Sequence, residues 1–309
     1  MDQLPPFGRN VSQVIGPTYD IYRPLVQKNA SNIESTSRES HSYGADPRQQ
    51  LDIYTPSPSG PSVTGENRPI LVFMYGGAFA NGDKVKADAP LFYTNFGYFF
   101  AENLGLESII MDYRLIKHGA KFPTGAEDLD CALNWIDQRY AGQKRDVFVL
   151  GNSAGGMNVA NWLFEPAFQQ SRRRLIAGSD NIKLSGIILL GALYHFQYSS
   201  PILRENLAGY LGDKLDENSP VASLKRCEEV GELASAIWPR ILILDSELDQ
   251  PDIVKASQDF MALLKEPGSL DVTYDSLKGH NHISPPLALG TGIAREEEWA
   301  KKVGSWVKN

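Results

Sequence analysis

The sequence predicts an α/β protein whose central sheet is mostly parallel and is covered by helices on both faces. Two observations support this fold class. Short runs of consecutive apolar residues recur along the chain, as in parallel strands that are buried on both faces. Segments whose apolar residues recur at helical spacing separate these runs, and such alternation is typical of a helix-covered sheet. We expect a single domain over residues 1–309, since no internal repeat divides the chain.

The individual elements follow from these patterns. Residues 50–55 (QLDIYT) alternate polar and apolar positions, as a half-buried strand does. A stretch rich in proline, serine and glycine at 56–69 is typical of a surface loop. The predicted strands are 50–55, 70–74, 108–111, 147–150, 184–190, 240–244 and 270–274, and the predicted helices are 126–140, 252–265 and 295–307.

Two segments do not follow the alternation. Residues 1–45 are polar and contain few strand-like runs. Residues 195–238 form a polar, irregular region with two prolines between two predicted strands. We expect 195–238 to be a small cap insertion that folds over the ends of the strands, and 1–45 to contribute to that cap.

Composition restricts the class of protein. Hydrophobic residues make up 42% of the chain and charged residues 22%, as in soluble globular proteins. The net charge of -7 argues against nucleic acid or an anionic membrane as the main partner. Two cysteines, an N-terminus without an apolar leader and the lack of a membrane-length apolar run predict free thiols, no stable membrane insertion and a cytoplasmic location. Nothing in the sequence indicates the oligomeric state.

The strongest motif is G-N-S-A-G-G at 151–156, centred on Ser153. It contains G-x-S-x-G, and it lies between a predicted strand (DVFVL) and a helix-like segment (MNVANWLF). A nucleophilic serine needs a sharp strand-to-helix turn, where Gly151 and Gly155 avoid a collision with the neighbouring chain. The alternative is a glycine-rich turn that only connects strand and helix. The surrounding elements favour the nucleophile.

A second motif, Y-G-G-A-F at 75–79, follows the predicted strand 70–74. Acyl transfer places negative charge on a carbonyl oxygen, which backbone N–H groups stabilise when they are already aimed at it. A turn of small residues lets the backbone come that close. By itself the motif is equally consistent with an ordinary turn after a strand.

Taken together, these motifs resemble those of a known family. Y-G-G-A-F, D-Y-R-L at 112–115, F-P at 122–123, E-D at 127–128 and G-N-S-A-G-G are similar to the hormone-sensitive-lipase-like esterases and to kynurenine-formamidase and feruloyl-esterase-like hydrolases. The resemblance covers roughly 50–165 and 240–285. It implies an α/β-hydrolase fold with an oxyanion hole formed by the N–H groups of Gly77, Ala78 and Ala154. Two positions depart from the family pattern: Tyr75 stands where histidine is usual, and Ala78 where glycine is frequent.

The general base is expected among the five histidines. In this fold the catalytic residues come in the order serine, acid, histidine. That order leaves His280 and His282, which follow the last predicted strand and flank Asn281. The resemblance places the catalytic histidine second in such a stretch, so His282 is the expected base and His280 is expected to make a hydrogen bond in the loop.

The acid that orients the histidine is expected after the strand 240–244. Candidates are Asp245, Glu247, Asp249 and Asp252, of which Asp252 looks like a helix N-cap. The family's acid comes a few residues into the loop, before a turn that contains proline. Asp249 fits that description, and Asp245 is the second choice.

These residues predict a serine hydrolase that cleaves a small to medium ester-like molecule, whether carboxylic ester, lactone or aryl-amide, through an acyl-enzyme. Its substrate would be a small molecule, and no cofactor or metal is expected, because the two neighbouring histidines lack a further ligand at recognisable spacing. A mixed apolar and polar pocket is expected from Tyr75, Phe79, Asn81, Met157, Tyr194 and Phe196.

A non-hydrolytic member of the same fold is the alternative function. A cyclase or lyase-type biosynthetic enzyme, or a ligand-binding receptor, can share the fold, because a fold does not by itself define a function. A receptor has no need of an aligned serine, aspartate and histidine, whereas an enzyme that opens or closes a ring does.

Overall fold

The computed structural model describes residues 1–58, 61, 68–235, 237–266, 268 and 270–309. The described residues form an eight-stranded sheet with the order β1-β2-β4-β3-β5-β6-β7-β8. β1 and β2 pair antiparallel, as do β2 and β4, and all other pairs are parallel. The strands are β1 Ser37–Ser42, β2 Gln50–Thr55, β3 Ile70–Met74, β4 Glu107–Met111, β5 Arg145–Asn152, β6 Ile182–Leu190, β7 Arg240–Leu248 and β8 Val272–Asn281.

Helices connect the strands of this sheet. Shorter helical turns supplement them, which are 3₁₀ turns at Pro5–Phe7, Ile116–His118, Pro166–Phe168 and Leu215–Asn218 and a π turn at Phe99–Asn103. The α-helices are α1 Val11–Gln27, α2 Ala30–Ser35, α3 Thr94–Tyr98, α4 Thr124–Arg139, α5 Ala154–Phe164, α6 Gln169–Ala177, α7 Pro201–Leu211, α8 Pro220–Glu229, α9 Glu232–Ser235, α10 Pro251–Lys265, α11 Ser284–Leu287 and α12 Ala294–Lys308.

The predicted fold class is confirmed, since the sheet is mostly parallel and alternates with helices. Every residue of β3 and β4 is buried. This burial explains why β3 (ILVFM) and the second half of β4 (IIM) are continuous apolar runs rather than alternating ones. The predicted helices at 126–140, 252–265 and 295–307 correspond to α4, α10 and α12 within two residues at each end. Most of the predicted loop at 56–69 lies outside the described residues.

β1 is a strand that the sequence pattern does not reveal. Its residues, SRESHS, are mostly exposed, and it lies at the edge of the sheet beside β2. An edge strand gains its stability largely from backbone pairing, and charged side chains on it discourage association with other chains. Apolar periodicity is therefore absent, and residues 1–45 contain both a long helix and an edge strand.

Most of the described residues in 195–238 are helical rather than irregular, so that part of the prediction is wrong. Its two prolines start helices: Pro201 and Pro220 occupy the first helical turn, where a missing N–H costs nothing. The serine before each proline accepts a hydrogen bond, Ser200 from the N–H of Leu203 and Ser219 from the N–H of Ala222. These helices lie between β6 and β7.

Two further sequence expectations concern thiols and membranes. Cys131 and Cys227 are free thiols, as predicted. Among the helices of the described residues, none combines the length and the apolar character needed to cross a bilayer.

Candidate active site

Ser153 occupies the sharp turn between β5 and α5. Its backbone angles, φ 52° and ψ -119°, lie in a region that non-glycine residues rarely adopt. A Cβ on Gly155 would lie 2.1 Å from the carbonyl oxygen of Met74, and a Cβ on Gly151 would lie 2.6 Å from the Cα of Gly156. Both positions therefore require glycine, and the strained turn places Ser153 at the cavity that it lines.

Asp249, His282 and Ser153 form a continuous hydrogen-bonded row. The Nε2 atom of His282 lies 2.9 Å from the Oγ of Ser153, and its Nδ1 lies 2.8 Å from the Oδ1 of Asp249. Asp249 follows β7 and His282 follows β8, so parallel strands carry both residues to the same edge of the sheet as Ser153. Asp249 is completely buried, and its Oδ1 also accepts the N–H of Gln250 at 3.0 Å.

The surroundings of His282 change its basicity. Burial has the largest single effect and lowers the pKa of the imidazole, but the charge and hydrogen bond of Asp249, together with the carboxylates of Asp245 and Asp252, outweigh it. The pKa of His282 therefore lies above its ordinary value. A histidine held this way keeps its proton more firmly once it has accepted one.

The other candidate residues have different surroundings. The ring of His280 contacts the hydroxyl of Ser284 at 2.8 Å and the carbonyl oxygen of Glu296 at 3.2 Å, and burial lowers its pKa to about 4. The carboxylate of Asp245 accepts a hydrogen bond from Ser257 at 2.7 Å, and burial raises its pKa to about 7. Neither residue bonds to His282.

Asp252 and Glu247 are the two remaining candidates for the acid that orients the histidine. Asp252 lies in the first turn of α10, and Gln250, not Asp252, is the N-cap of that helix. The expectation of an Asp252 N-cap is therefore wrong, because the helix begins at Pro251, two residues before a helix capped by Asp252 would begin. Glu247 is partly exposed and accepts the N–H of Gly279 at 2.8 Å.

The turn after β3 lies against the serine. A Cβ on Gly76 would come within 2.8 Å of the Cβ of Ser153. Gly77, with φ 132°, leaves no space for a side chain, since its Cβ would lie 2.0 Å from the carbonyl oxygen of Asn81. Within the described residues, the N–H groups of Gly77, Ala78 and Ala154 donate to no protein acceptor. These three residues line the same cavity as Ser153, so their N–H groups are available to an acceptor bound there.

Tyr75 supports this turn from below. Its side chain is fully buried, its hydroxyl donates to the carboxylate of Asp112, and it accepts from Arg48 at 2.7 Å. Its ring stacks on Tyr93 with centroids 5.4 Å apart. A Cβ on Gly82 would lie 2.3 Å from the Tyr75 ring, so the loop passes directly over it. Tyr75 therefore braces the turn and does not line the cavity.

A cavity of about 480 Å³ opens above Ser153. Of the six residues expected to line it, Asn81 and Met157 do. The remainder of its lining is mainly apolar and comes largely from segments outside the sequence motifs. Besides these two and the residues of the site itself, the lining includes Val11, Ile15, Tyr19, Lys86, Tyr93, Leu193, Leu203, Leu207, Ile253, Ile283 and Leu287.

The other aromatic residues expected in the pocket lie elsewhere, which corrects that prediction together with the one for Tyr75. Phe79 stacks on Tyr210 of α7 with ring centroids 4.0 Å apart, and Tyr194 stacks on Phe260 of α10 at 4.3 Å. Phe196 is buried as well. Large aromatic surfaces gain more from full burial between helices than from a half-open cavity.

Helices α1 and α7 supply the walls that the motif search missed. Val11, Ile15 and Tyr19 of α1 are four residues apart, which places them on one helix face. Leu203 and Leu207 of α7 have the same spacing. The four-residue spacing of Val11, Ile15 and Tyr19 is the sequence signal for this helix face, but it does not indicate which part of the protein the helix covers. Within the described residues, no group of three or more histidine, cysteine or acidic side chains is arranged to hold a metal ion.

Comparison with known proteins gives matches in sequence and in structure. Residues 51–162 match the family model BD-FAE. The chain is similar to a probable isoprenylcysteine alpha-carbonyl methylesterase of Oryza sativa subsp. japonica, with 28% identity over 247 residues. That match covers 74% of this chain and 53% of the relative, so the chain spans about half the length of the plant protein.

Two solved structures are similar over nearly the whole chain. Esterase B from Lactobacillus rhamnosis superposes with a TM-score of 0.64 at 16% identity and covers 95% of each chain. An esterase from the bacterial hormone-sensitive lipase family superposes with a TM-score of 0.63 at 15% identity, covering 94% of this chain and 97% of the other. At such low identity, the similarity demonstrates a shared fold.

Replacing Tyr75 with phenylalanine is expected to lower stability more than activity. The variant removes a buried hydroxyl that bonds to Asp112 and Arg48, and such a loss costs about 1–3 kcal/mol of the free energy of unfolding. Because the turn's donors are backbone N–H groups, kcat/KM should change by less than about tenfold. Denaturant unfolding and ester kinetics measure the two effects.

The matched control is Tyr198→Phe, which removes a hydroxyl from an exposed tyrosine that contacts Asp259 at 3.1 Å. Its free energy of unfolding should change by no more than about 0.5 kcal/mol. A folded Tyr75→Phe variant without activity would show that the hydroxyl takes part in the chemistry.

Proposed function

We propose that this chain, a member of the α/β-hydrolase superfamily, hydrolyses small to medium carboxylic esters with Ser153 as nucleophile, His282 as base and Asp249 as acid. The observation that carries the proposal is the hydrogen-bonded row at the floor of the cavity. Its two distances, 2.9 Å and 2.8 Å, are those of a serine ready to transfer its proton to an oriented imidazole.

In the proposed reaction, the Oγ of Ser153 attacks the ester carbonyl carbon while the Nε2 of His282 takes the hydroxyl proton. The C–O bond to the alcohol then breaks, and His282 gives the proton to the departing alcohol. A water molecule, deprotonated by His282, then attacks the carbonyl carbon of the acyl-serine. The bond from this carbon to the Oγ of Ser153 breaks, His282 returns the proton to that oxygen, and the carboxylic acid leaves. Asp249 keeps the Nδ1–H of His282 directed toward itself and stabilises the imidazolium that forms in each half-reaction.

The oxyanion of the tetrahedral intermediate would be stabilised by the N–H groups of Gly77, Ala78 and Ala154. These donors are held in place before the substrate arrives, because Gly76 packs against Ser153 and Tyr75 braces the turn. Preorganised donors need no rearrangement as charge develops, and removing one such donor typically costs about 3 kcal/mol of transition-state stabilisation. The alanine at position 78 supplies the same N–H as the glycine frequent in the resembling family.

The cavity and the relatives support the proposed substrate class. A volume of about 480 Å³ with mainly apolar walls is in the usual range for a small organic molecule. The plant relative is named a methylesterase and both structural neighbours are esterases, which supports an ester over a lactone or an aryl-amide. These names also support hydrolysis over a cyclase, lyase or receptor role.

A fluorophosphonate probe is expected to label the native protein at Ser153. An activated serine in this arrangement forms a stable covalent adduct with the phosphorus atom of such probes. Intact-mass analysis should show one adduct on the wild-type chain and none on Ser153→Ala. An unlabelled wild-type protein, or an adduct that persists on Ser153→Ala, contradicts the assignment of the nucleophile.

The two neighbouring histidines form a matched pair of substitutions. His282→Ala removes the proposed base, and kcat on a chromogenic ester should fall by several orders of magnitude. His280→Ala removes contacts to Ser284 and Glu296 only, so it should lower the thermal midpoint and affect kcat far less. The proposal assigns the base to the wrong histidine if these effects are reversed.

The pH dependence of kcat/KM is expected to report the raised pKa of His282. The base must be neutral, and although burial lowers its pKa, the carboxylates of Asp249, Asp245 and Asp252 together raise it from its ordinary value of 6.5. Activity should therefore rise with pH through a midpoint above 6.5, as the imidazolium loses its proton. Kinetics on a neutral ester across this pH range provide the measurement.

Substitution of the acids tests the origin of that midpoint. In Asp249→Asn the midpoint should move below the wild-type value, and kcat should fall by roughly 10⁴-fold. Asp245→Asn is the control, because Asp245 bonds to Ser257 and not to His282, and it should shift the midpoint less. A larger loss of kcat in Asp245→Asn than in Asp249→Asn would identify Asp245 as the acid.

A further inference from the structure

The candidate catalytic cavity contains one lysine, Lys86, and no carboxylate among its described lining residues. Asp249 lies behind His282, bonded to the nitrogen that faces away from Ser153, and is not part of the lining. The chain as a whole carries a net charge of -7, so a cavity whose only permanent charge is positive differs from the rest of the molecule. The cation is part of a mainly apolar wall.

The ammonium group of Lys86 is held by aromatic rings. Its Nζ lies 4.8 Å from the ring centroid of Tyr19 on α1 and 5.8 Å from that of Tyr93, just before α3. Both tyrosines also line the cavity. Contacts of this kind orient a cation without neutralising it. The side chain is half-buried, so it is not a freely solvated surface lysine.

Acidic partners for Lys86 are absent from the described part of the chain. No carboxylate there lies within ion-pair distance of its Nζ, although several acidic residues are close in sequence. Asp83 pairs with Arg48, and Asp88 is exposed. The nearby Lys84 differs, because its Nζ lies 2.7 Å from the carboxylate of Asp52. Lys86 therefore presents a positive charge whose counter-charge the described protein does not supply.

We infer that the preferred ester substrate carries a carboxylate, and that Lys86 binds it as a specificity-determining residue. This inference rests on the proposed esterase function. A carboxylate in the cavity would accept a charge-assisted hydrogen bond from the ammonium group, in surroundings where apolar walls reduce screening by water. A neutral ester of the same size leaves Lys86 with its aromatic contacts alone.

The carboxylate can belong to the acyl part or to the alcohol part of the ester, and two substrate pairs distinguish these sources. The acyl-side pair is the mono-para-nitrophenyl ester of glutaric acid against para-nitrophenyl valerate. The alcohol-side pair is carboxyphenyl butyrate against phenyl butyrate. The readout is the ratio of kcat/KM for the anionic ester to kcat/KM for the neutral ester of the same pair. This ratio does not depend on the fraction of active protein in each preparation.

Three variants accompany the wild type. Lys86→Met removes the charge and should lower the ratio in one pair by roughly tenfold, mainly through a higher KM, since a charge-assisted contact of this strength is lost. Lys86→Arg keeps the charge and should preserve most of the preference. Lys301→Met removes an exposed lysine on α12 that does not line the cavity, and its ratios should equal those of the wild type.

The possible outcomes distinguish a failure of this inference from a failure of the proposed esterase function. A ratio unchanged by Lys86→Met in both pairs overturns the inference. If the unchanged ratio comes with an equal loss of kcat/KM on the anionic and neutral esters, Lys86 instead has a structural role between α1 and the loop before α3. If the neutral esters are still hydrolysed in those cases, the proposed function stands. A wild-type protein that hydrolyses none of the esters overturns both.

Discussion

The close packing of the first turn of α5 against the end of β3 is the constraint on which the site depends. Gly155 approaches the carbonyl oxygen of Met74 so closely that a Cβ would lie 2.1 Å from it. This contact brings Ser153, at the start of α5, next to the turn that follows β3. The same approach forces Ser153 into a strained backbone conformation. Ser153 and the turn after β3 are therefore positioned by one backbone contact rather than by flexible side chains.

Hydrogen bonds and charges between buried polar side chains hold the other parts of the site in place. Burying a carboxylate such as Asp249 is costly unless a partner compensates, and His282 and the N–H of Gln250 provide that compensation. In return the carboxylate raises the pKa of His282 against the opposing effect of burial. Buried polar groups also pair with one another below the turn that follows β3. There the hydroxyl of Tyr75 donates to the carboxylate of Asp112 and accepts from Arg48. Buried polar residues thus hold both sides of the site, and the apolar walls from α1 and α7 keep it partly shielded from water.

Much of the framework was predictable from local pattern. The buried strands and the helices α4, α10 and α12 follow from apolar periodicity, because burial on one or two faces leaves a direct mark on the order of residues. The edge strand β1 leaves no such mark, since it is stabilised by backbone pairing with β2. The helical nature of 195–238 was missed for a different reason. Pro201 and Pro220 indicate breaks when they are considered alone, and helix starts only when Ser200 and Ser219 are recognised as N-caps.

The sequence by itself determined the strand-to-helix turn at Ser153 and the glycine turn after β3, because steric limits on the backbone require particular residues at particular positions. It also limited the candidates for the general base to two histidines and the candidates for the orienting acid to four residues. Only the tertiary structure placed His282 and Asp249 on one line with Ser153 and directed His280 and Asp245 to other partners. It alone turned Tyr75, Phe79, Tyr194 and Phe196 into the interior and brought α1 and Lys86 to the cavity. Local sequence specifies backbone shape, whereas the direction of a side chain depends on what distant segments pack against it.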